Sequence, residues 1–110
     1  MNNFRGGFGG ANMQQMLQKA QKMQEDLQKA QASLAEQTVT ATSGGGMVEL
    51  TMTGKKVLTG IKLKKEAVDP DDIEMLEDLI MAAYNEAIKK ADELEAQVMG
   101  PYSSMLGGLM

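Results

Sequence analysis

Residues 38–63 read TVTATSGGGMVELTMTGKKVLTGIKL, and this stretch decides the fold. Polar and apolar residues alternate in three short runs, and glycine-containing turns at 44–46 and 53–56 separate the runs. Such alternation is typical of strands that turn one side towards a core and the other towards water. We therefore predict a three-stranded antiparallel meander with one apolar face.

The segment before this meander has a different period. Its apolar residues are spaced by three and four positions in turn, as in a heptad repeat. They are Met13, Met16, Ala20, Met23, Leu27, Ala30 and Leu34. Asn12 is a suitable N-cap, and many of the intervening positions hold glutamine, which tolerates the helix well. We predict one helix over 12–36, about 37 Å long.

A second helical pattern follows the meander. Asp69 is placed to act as its N-cap and Pro70 as its first helical residue, and an apolar stripe continues to Val98. The Gly100–Pro101 pair predicts its end. The fold class is therefore α+β, with a long N-terminal helix, a three-stranded antiparallel sheet and a long C-terminal helix. We expect a single domain over 12–100, with flexible segments at 1–11 and 101–110.

The centre of the second helix suggests a homodimer. Residues 79–84 are apolar nearly all round, and a helix of that kind is buried on every side. One small sheet covers only one side, so a second copy of the chain is the simplest cover. The alternative is a monomer in which both helical stripes pack on the sheet.

Composition weakens several classes of function. The 110 residues include no Cys and no His, which removes disulfides, thiolate nucleophiles, imidazole bases and the usual zinc ligands. No apolar run reaches the roughly 18 residues of a membrane span. The glycine runs match no phosphate-binding motif, and the acidic residues after Asp69 are typical of a helix N-terminus. We expect a cytoplasmic protein that is not an enzyme, with no cofactor, metal, membrane or small-molecule substrate.

Charge is distributed unevenly along the chain. The formal charge is −4, and it is the sum of +1 over residues 1–36, +4 over 37–65 and −9 over 66–110. The basic residues that remain as a functional signal are Lys19, Lys22, Lys29, Lys55, Lys56, Lys62, Lys64, Lys65, Lys89 and Lys90. Such residues can contact DNA phosphates without regard to sequence, but taken alone they are also typical of a solvated face.

Three stretches together resemble the YbaB/EbfC family of bacterial nucleoid-associated proteins. They are MLQKAQKMQEDLQKAQ at 16–31, SGGGMVELTMTGKK at 43–56 and EMLEDLIMAAYNEAIKKADE at 74–93. The third is the most specific, with Glu77-Asp78-Leu79, Ala82-Ala83 and Asn85-Glu86-Ala87 in the family's order.

The resemblance implies a homodimer whose helices project like tweezers and bind double-stranded DNA with little sequence preference. It also implies an association with the nucleoid and a role in gene expression or nucleoid organisation. The basic positions that match the family's helical arms are Lys19, Lys22, Lys89 and Lys90, which become the candidate DNA contacts. A protein-interaction module that uses the helical arms and methionine-rich surface stays open as the alternative.

Overall fold

The structure, a computed structural model, describes the backbone of residues 2–109 and the side chains of residues 12–102. Helix α1 spans Asn2–Glu36, and helix α2 spans Ile73–Leu109. Between them lie β1 (Thr38–Ser43), β2 (Val48–Thr53), β3 (Leu58–Leu63) and a single 3-10 turn at Lys65–Ala67. The predicted fold class of two long helices around a three-stranded antiparallel sheet is confirmed.

The strands form a meander in the order β1-β2-β3. The turn between β1 and β2 holds Gly44, Gly45 and Gly46 at φ values of 60, 68 and 93°, a region that only glycine enters at low cost. One irregularity departs from the predicted alternation. Thr51 pairs with Gly60 but Met52 pairs with Leu58, so Thr59 forms a bulge, which shifts the side-chain alternation by one residue.

Helix α2 packs across β1 and β2 to form the core. The residues of α2 that face the sheet have small side chains: Ala83, Ala87 and Ala91 are all fully buried. Small residues let the helix backbone approach the sheet closely, and β2 fills the space with three larger buried side chains, namely Val48, Leu50 and Met52. The core consequently lies under one side of α2, over the first two strands.

Strand β3 has an apolar face that α2 does not cover. The register places Leu58, Ile61 and Leu63 opposite Met52, Leu50 and Val48, and paired residues of an antiparallel sheet share a face. These three β3 side chains are nevertheless 39–54% exposed, and Met81 and Tyr84 of α2 are 56% and 44% exposed. Within one chain, the core face of the sheet is therefore only partly buried.

The start of α2 differs from the sequence prediction. Asp69 does not cap the helix, because its Oδ1 accepts a hydrogen bond from the backbone N–H of Asp71 and closes a local turn. The helix begins at Ile73, and Asp72 Oδ1 accepts from the N–H of Met75 at 3.2 Å, the contact of an N-cap. The prediction of Asp69 as the N-cap and Pro70 as the first helical residue is therefore wrong, because the local turn at Asp69 delays the helix to Ile73.

Both helices are longer than predicted. Helix α1 begins at Asn2 and not at Asn12, and α2 continues through Pro101 to Leu109. Glycine lowers helix propensity without preventing a helix, so the glycines of residues 6–10 do not interrupt α1. An internal proline removes one backbone hydrogen bond, and α2 continues past Pro101 despite this loss. The flexibility of residues 1–11 and 101–110 in solution stays a prediction, and the side chains of 1–11 and 103–110 lie outside the described part.

The two helices overlap over only part of their length. Each is about 52–56 Å long at 1.5 Å per residue, whereas the molecule extends over 86 × 22 × 16 Å. The C-terminal end of α1 is joined to the sheet at Gly54, whose N–H donates to the carbonyls of Leu34 and Gln37 at 3.1 and 3.0 Å. From this junction the N-terminal part of α1 projects away from the sheet as an arm.

Candidate nucleic-acid interface

Lys19 and Lys22 lie together on the projecting part of α1. Both border an open groove of about 570 Å³ between α1 and the C-terminal part of α2. Its other described lining residues are Met16, Ala20, Met23, Asp26 and Tyr102, so its surface is mostly apolar and includes three charged side chains. The two lysines also share a second depression with Gln15 and Gln18. This part of the arm therefore combines positive charge with neutral hydrogen-bonding side chains.

Lys89 and Lys90 lie on a different part of the molecule. They are on the section of α2 that covers the sheet, between the buried residues Ala87 and Ala91. Lys90 Nζ donates a hydrogen bond to the backbone carbonyl of Thr40 at 2.8 Å. Thr40 belongs to the edge strand β1, and a lysine at this place also discourages pairing with another strand.

The structure does not bring the four candidate lysines into one patch. The helices meet where Leu34 and Glu95 line the same small cavity. Lys22 lies about 18 Å from Leu34 along α1, towards the tip of the arm. Lys89 lies about 9 Å from Glu95 along α2, in the opposite direction and over the sheet. The two lysine pairs are thus separated by roughly 27 Å along the long axis.

The lysines of the sheet also divide into two groups. Lys55 and Lys56 lie in the turn between β2 and β3, whereas Lys62 lies in β3 close to the β1–β2 turn at the opposite end. Six residues of strand separate these ends, about 20 Å. What looks like one basic cluster in the sequence is therefore two small groups in space.

Lys56 is engaged by acidic residues of α2. Its Nζ lies 2.6 Å from Asp92 Oδ1 and 3.8 Å from Glu95 Oε2. The hydrogen bond to Asp92, and then the negative charge of Asp92, raise the pKa of Lys56 above 10.5. Sequence reasoning missed this contact because Asp92 and Glu95 are more than thirty residues away in the chain. It also missed the contribution of Tyr102 to the groove beside α1, because residue 102 falls in the segment predicted to be flexible.

Other possible sites have structural explanations within the described residues. Lys62 Nζ lies 3.9 Å from Glu49 Oε2, a cross-strand pair at positions that face each other in the register. Asp69 and Asp72 accept the backbone hydrogen bonds of a turn and a cap. No three acidic side chains there converge on a point where a metal ion could bind. None of the helices there is long and apolar enough to cross a membrane.

Comparison with known proteins identifies close relatives over nearly the whole chain. The sequence model of the YbaB/EbfC DNA-binding family matches residues 9–106. A nucleoid-associated protein of Ruminiclostridium cellulolyticum is 51% identical over 104 residues, which are 94% of this chain and 90% of the relative. A nucleoid-associated protein of Agathobacter rectalis is 52% identical over 107 residues, 94% of this chain and 95% of the relative.

A solved structure shares the fold. The crystal structure of an uncharacterised protein from Helicobacter pylori superimposes with a TM-score of 0.69 at 20% identity. The match covers 80% of this chain and 92% of the other. At this identity the similarity concerns the arrangement of helices and strands alone.

Proposed function

Because the chain belongs to the YbaB/EbfC DNA-binding family, we propose that it binds double-stranded DNA with little sequence preference, as a homodimer. It acts at the bacterial nucleoid, in agreement with the nucleoid-associated names of its relatives, and therefore in the cytoplasm. It contributes to nucleoid organisation or gene expression through binding and not through catalysis. It needs no cofactor, membrane or small-molecule substrate.

The observation that carries this proposal is the position of Lys19 and Lys22 on a projecting helix within a DNA-binding family. Lysine contacts to phosphate add affinity but carry no sequence information. Gln15 and Gln18 beside them are neutral and can donate hydrogen bonds to backbone oxygens. Lys89 and Lys90 form a second contact on the sheet-covering part of α2, with Lys90 able to exchange Thr40 for a phosphate oxygen.

Net charge limits the affinity. Each chain carries −4, so two chains carry −8 and repel DNA at long range. The basic side chains must therefore make their contacts locally, and a dissociation constant near 10⁻⁴–10⁻⁶ M at physiological salt is the expected starting range. Two binding surfaces in one homodimer improve on this through avidity.

The uncovered apolar surface supports the homodimer. Leu58, Ile61 and Leu63 of β3 share the core face of the sheet with buried residues of β2 but are 39–54% exposed. Met81 and Tyr84 of α2 are also exposed, at 56% and 44%. Covering this surface with a second copy would complete the core face of the sheet and bury the apolar centre of α2. An exposed apolar surface of this kind is a common mark of protein association.

Replacing Ile61 with Glu tests the homodimer. Ile61 is 54% exposed in the single chain, so the chain should still fold, while a charge at the centre of the covered surface should block association. Light scattering at micromolar concentration should give a dimer for the wild type and a folded monomer for Ile61→Glu. A wild-type monomer would contradict this part of the proposal.

The DNA proposal is tested with paired lysine variants. One double variant carries Lys19→Gln and Lys22→Gln, and a second carries Lys89→Gln and Lys90→Gln. Each should weaken binding equally for duplexes of unrelated sequence and reduce the salt dependence of the affinity. The matched control is a double variant with Lys62→Gln and Lys64→Gln. It removes the same amount of positive charge from the end of the sheet beside the β1–β2 turn. Gel-shift titration at two salt concentrations gives the measurement. Equal losses in all three variants would show a general charge effect, and unchanged binding in the first two would refute the assigned contacts.

The groove beside the arm favours one alternative function. Its lining by Met16, Ala20 and Met23 is apolar and adaptable, as a site for a protein helix would be. If the wild-type dimer bound no duplex even at low salt, a protein-interaction module would replace DNA binding as the proposal.

A further inference from the structure

We propose that the projecting part of α1 pairs antiparallel with the same segment of another copy, with Ala20 of each helix opposite Met23 of the other. The pair forms along the groove beside the arm and joins one molecule to the next. It uses a surface different from the uncovered face of β3, and it does not require DNA.

The first argument is the continuity of the apolar stripe on α1. Towards its C-terminal end the stripe is increasingly covered: Ala20, Met23 and Leu27 line a small cavity with Tyr102 of α2, and Leu34 is only 2% exposed. Towards the N-terminus the same spacing continues, but Met13 and Met16 are 64% and 69% exposed. A heptad stripe that outruns its intramolecular partner fits another helix of the same kind.

The second argument is that charges on α1 favour one register. Lys19 and Asp26 each precede a stripe residue, Ala20 or Leu27, by one position, so they lie on the same flank. With Ala20 opposite Met23 of the second copy, Lys19 of each helix faces Asp26 of the other. The two-fold symmetry of such a contact forms this pair twice.

Other registers lack this complementarity. In a parallel, in-register pair, Lys19 would face Gln24 and Asp26 would face Gln31, so no opposite charges meet. An antiparallel pair shifted by one heptad would bring Lys19 opposite Lys19 of the second copy, which is repulsive. The charges thus select one arrangement and oppose its nearest alternative.

The third argument is the shape of the groove. Lys19 and Asp26 line it together with the apolar residues Met16, Ala20 and Met23. The short side chain of Ala20 leaves space for a methionine from the second helix, and methionine adapts readily to such space. Overlap from Met13 to Ala30 makes the contact about 27 Å long.

This pairing has a consequence for assembly that rests on the proposed homodimer. A dimer joined through its sheets presents two arms, and each arm can pair with another dimer. Repeating the contact builds chains, or rings if the geometry closes. The proposed DNA contacts at Lys89 and Lys90 lie outside the arm pair, so proteins assembled in this way could hold separate DNA segments together.

Cysteine cross-linking tests the register directly, because the chain has no cysteine of its own. Ala20→Cys and Met23→Cys proteins are prepared separately, then oxidised alone and as a mixture without DNA. The proposed register predicts that the mixed disulfide forms several-fold faster than either self-linked product, since only the mixed pair brings the two Cβ atoms within disulfide range. Faster self-linking of both variants, as in a parallel pair, or no linking at all, would overturn the proposal.

A charge exchange gives an independent test by sedimentation velocity without DNA. Lys19→Asp or Asp26→Lys alone should weaken arm association by about tenfold, because two attractive pairs become repulsive, and the double variant should recover most of the loss. Glu25→Lys is the matched control, since it makes the same charge change on the opposite side of the helix. A double variant no better than the single ones, or an equal effect of Glu25→Lys, would refute the pairing and leave DNA binding to be judged separately.

Discussion

Replacing Gly54 with Ala should loosen the junction that holds the C-terminal end of α1 against the sheet. Gly54 is buried, and a Cβ at this position would clash with Leu34 Cδ1 and lie 2.7 Å from both Leu34 Cγ and the backbone oxygen of Leu34. The side chain could rotate away, but the backbone oxygen is fixed by its hydrogen bond from Gly54. The methyl group therefore has to displace α1 itself.

The cost follows from this geometry. Overpacking a dense site costs about 1–3 kcal/mol, and the rigid backbone contact puts Gly54→Ala towards the upper end of that range. For a chain of this length we expect the melting temperature to fall by roughly 10 °C. The arm should also lose its defined direction, which would weaken every function that uses it.

Gly100→Ala is the matched control for this prediction. A Cβ at Gly100 meets no atom within 4 Å, and alanine is favoured over glycine within a helix by up to about 1 kcal/mol. This variant should be as stable as the wild type or more so. Thermal and urea unfolding followed by circular dichroism would be compared at one protein concentration, because the stability of the proposed homodimer would depend on concentration. Equal stability of Gly54→Ala and Gly100→Ala would refute the reasoning.

Two further predictions concern caps and charges. Asp72→Ala should reduce the free energy of unfolding by about 1 kcal/mol through loss of the N-cap, whereas Asp69→Ala should cost less; equal losses in urea unfolding would contradict the assignment of the cap. Lys56→Gln should destabilise the fold at neutral pH by removing the contacts with Asp92 and Glu95. Because the folded state raises the pKa of Lys56 above 10.5, this stabilisation is complete below pH 10.5 and lost as the pH rises through the folded pKa. Melting curves of wild type and variant should accordingly converge at high pH, and a gap that persists there would argue against the ion pair.

The candidate DNA contacts show how far sequence reasoning reached. The helix carrying Lys19 and Lys22 was recognisable from its heptad spacing, so their common side could be predicted. Lys89 and Lys90 were assigned to an arm, but their position between Ala87 and Ala91 places them over the sheet. That difference depends on where the two helices cross, which no local pattern contains.

The elements themselves were determined by the sequence, because strand and helix periods are local properties of neighbouring residues. Alternation predicted all three strands, and spacing by three and four predicted both helices. The bulge at Thr59 and the choice of Asp72 over Asp69 as cap needed the structure, since each depends on competition between nearly equal local options.

Only the tertiary structure decided which surfaces stay uncovered. The apolar residues of β3 look like core residues in the sequence, yet Ile61 remains exposed because α2 packs mainly on the first two strands. Likewise, Lys56 meets Asp92 only because the β2–β3 turn folds against the far part of α2. Contacts between segments more than thirty residues apart depend on the packing of whole elements, and the periodicity of each element alone does not specify them.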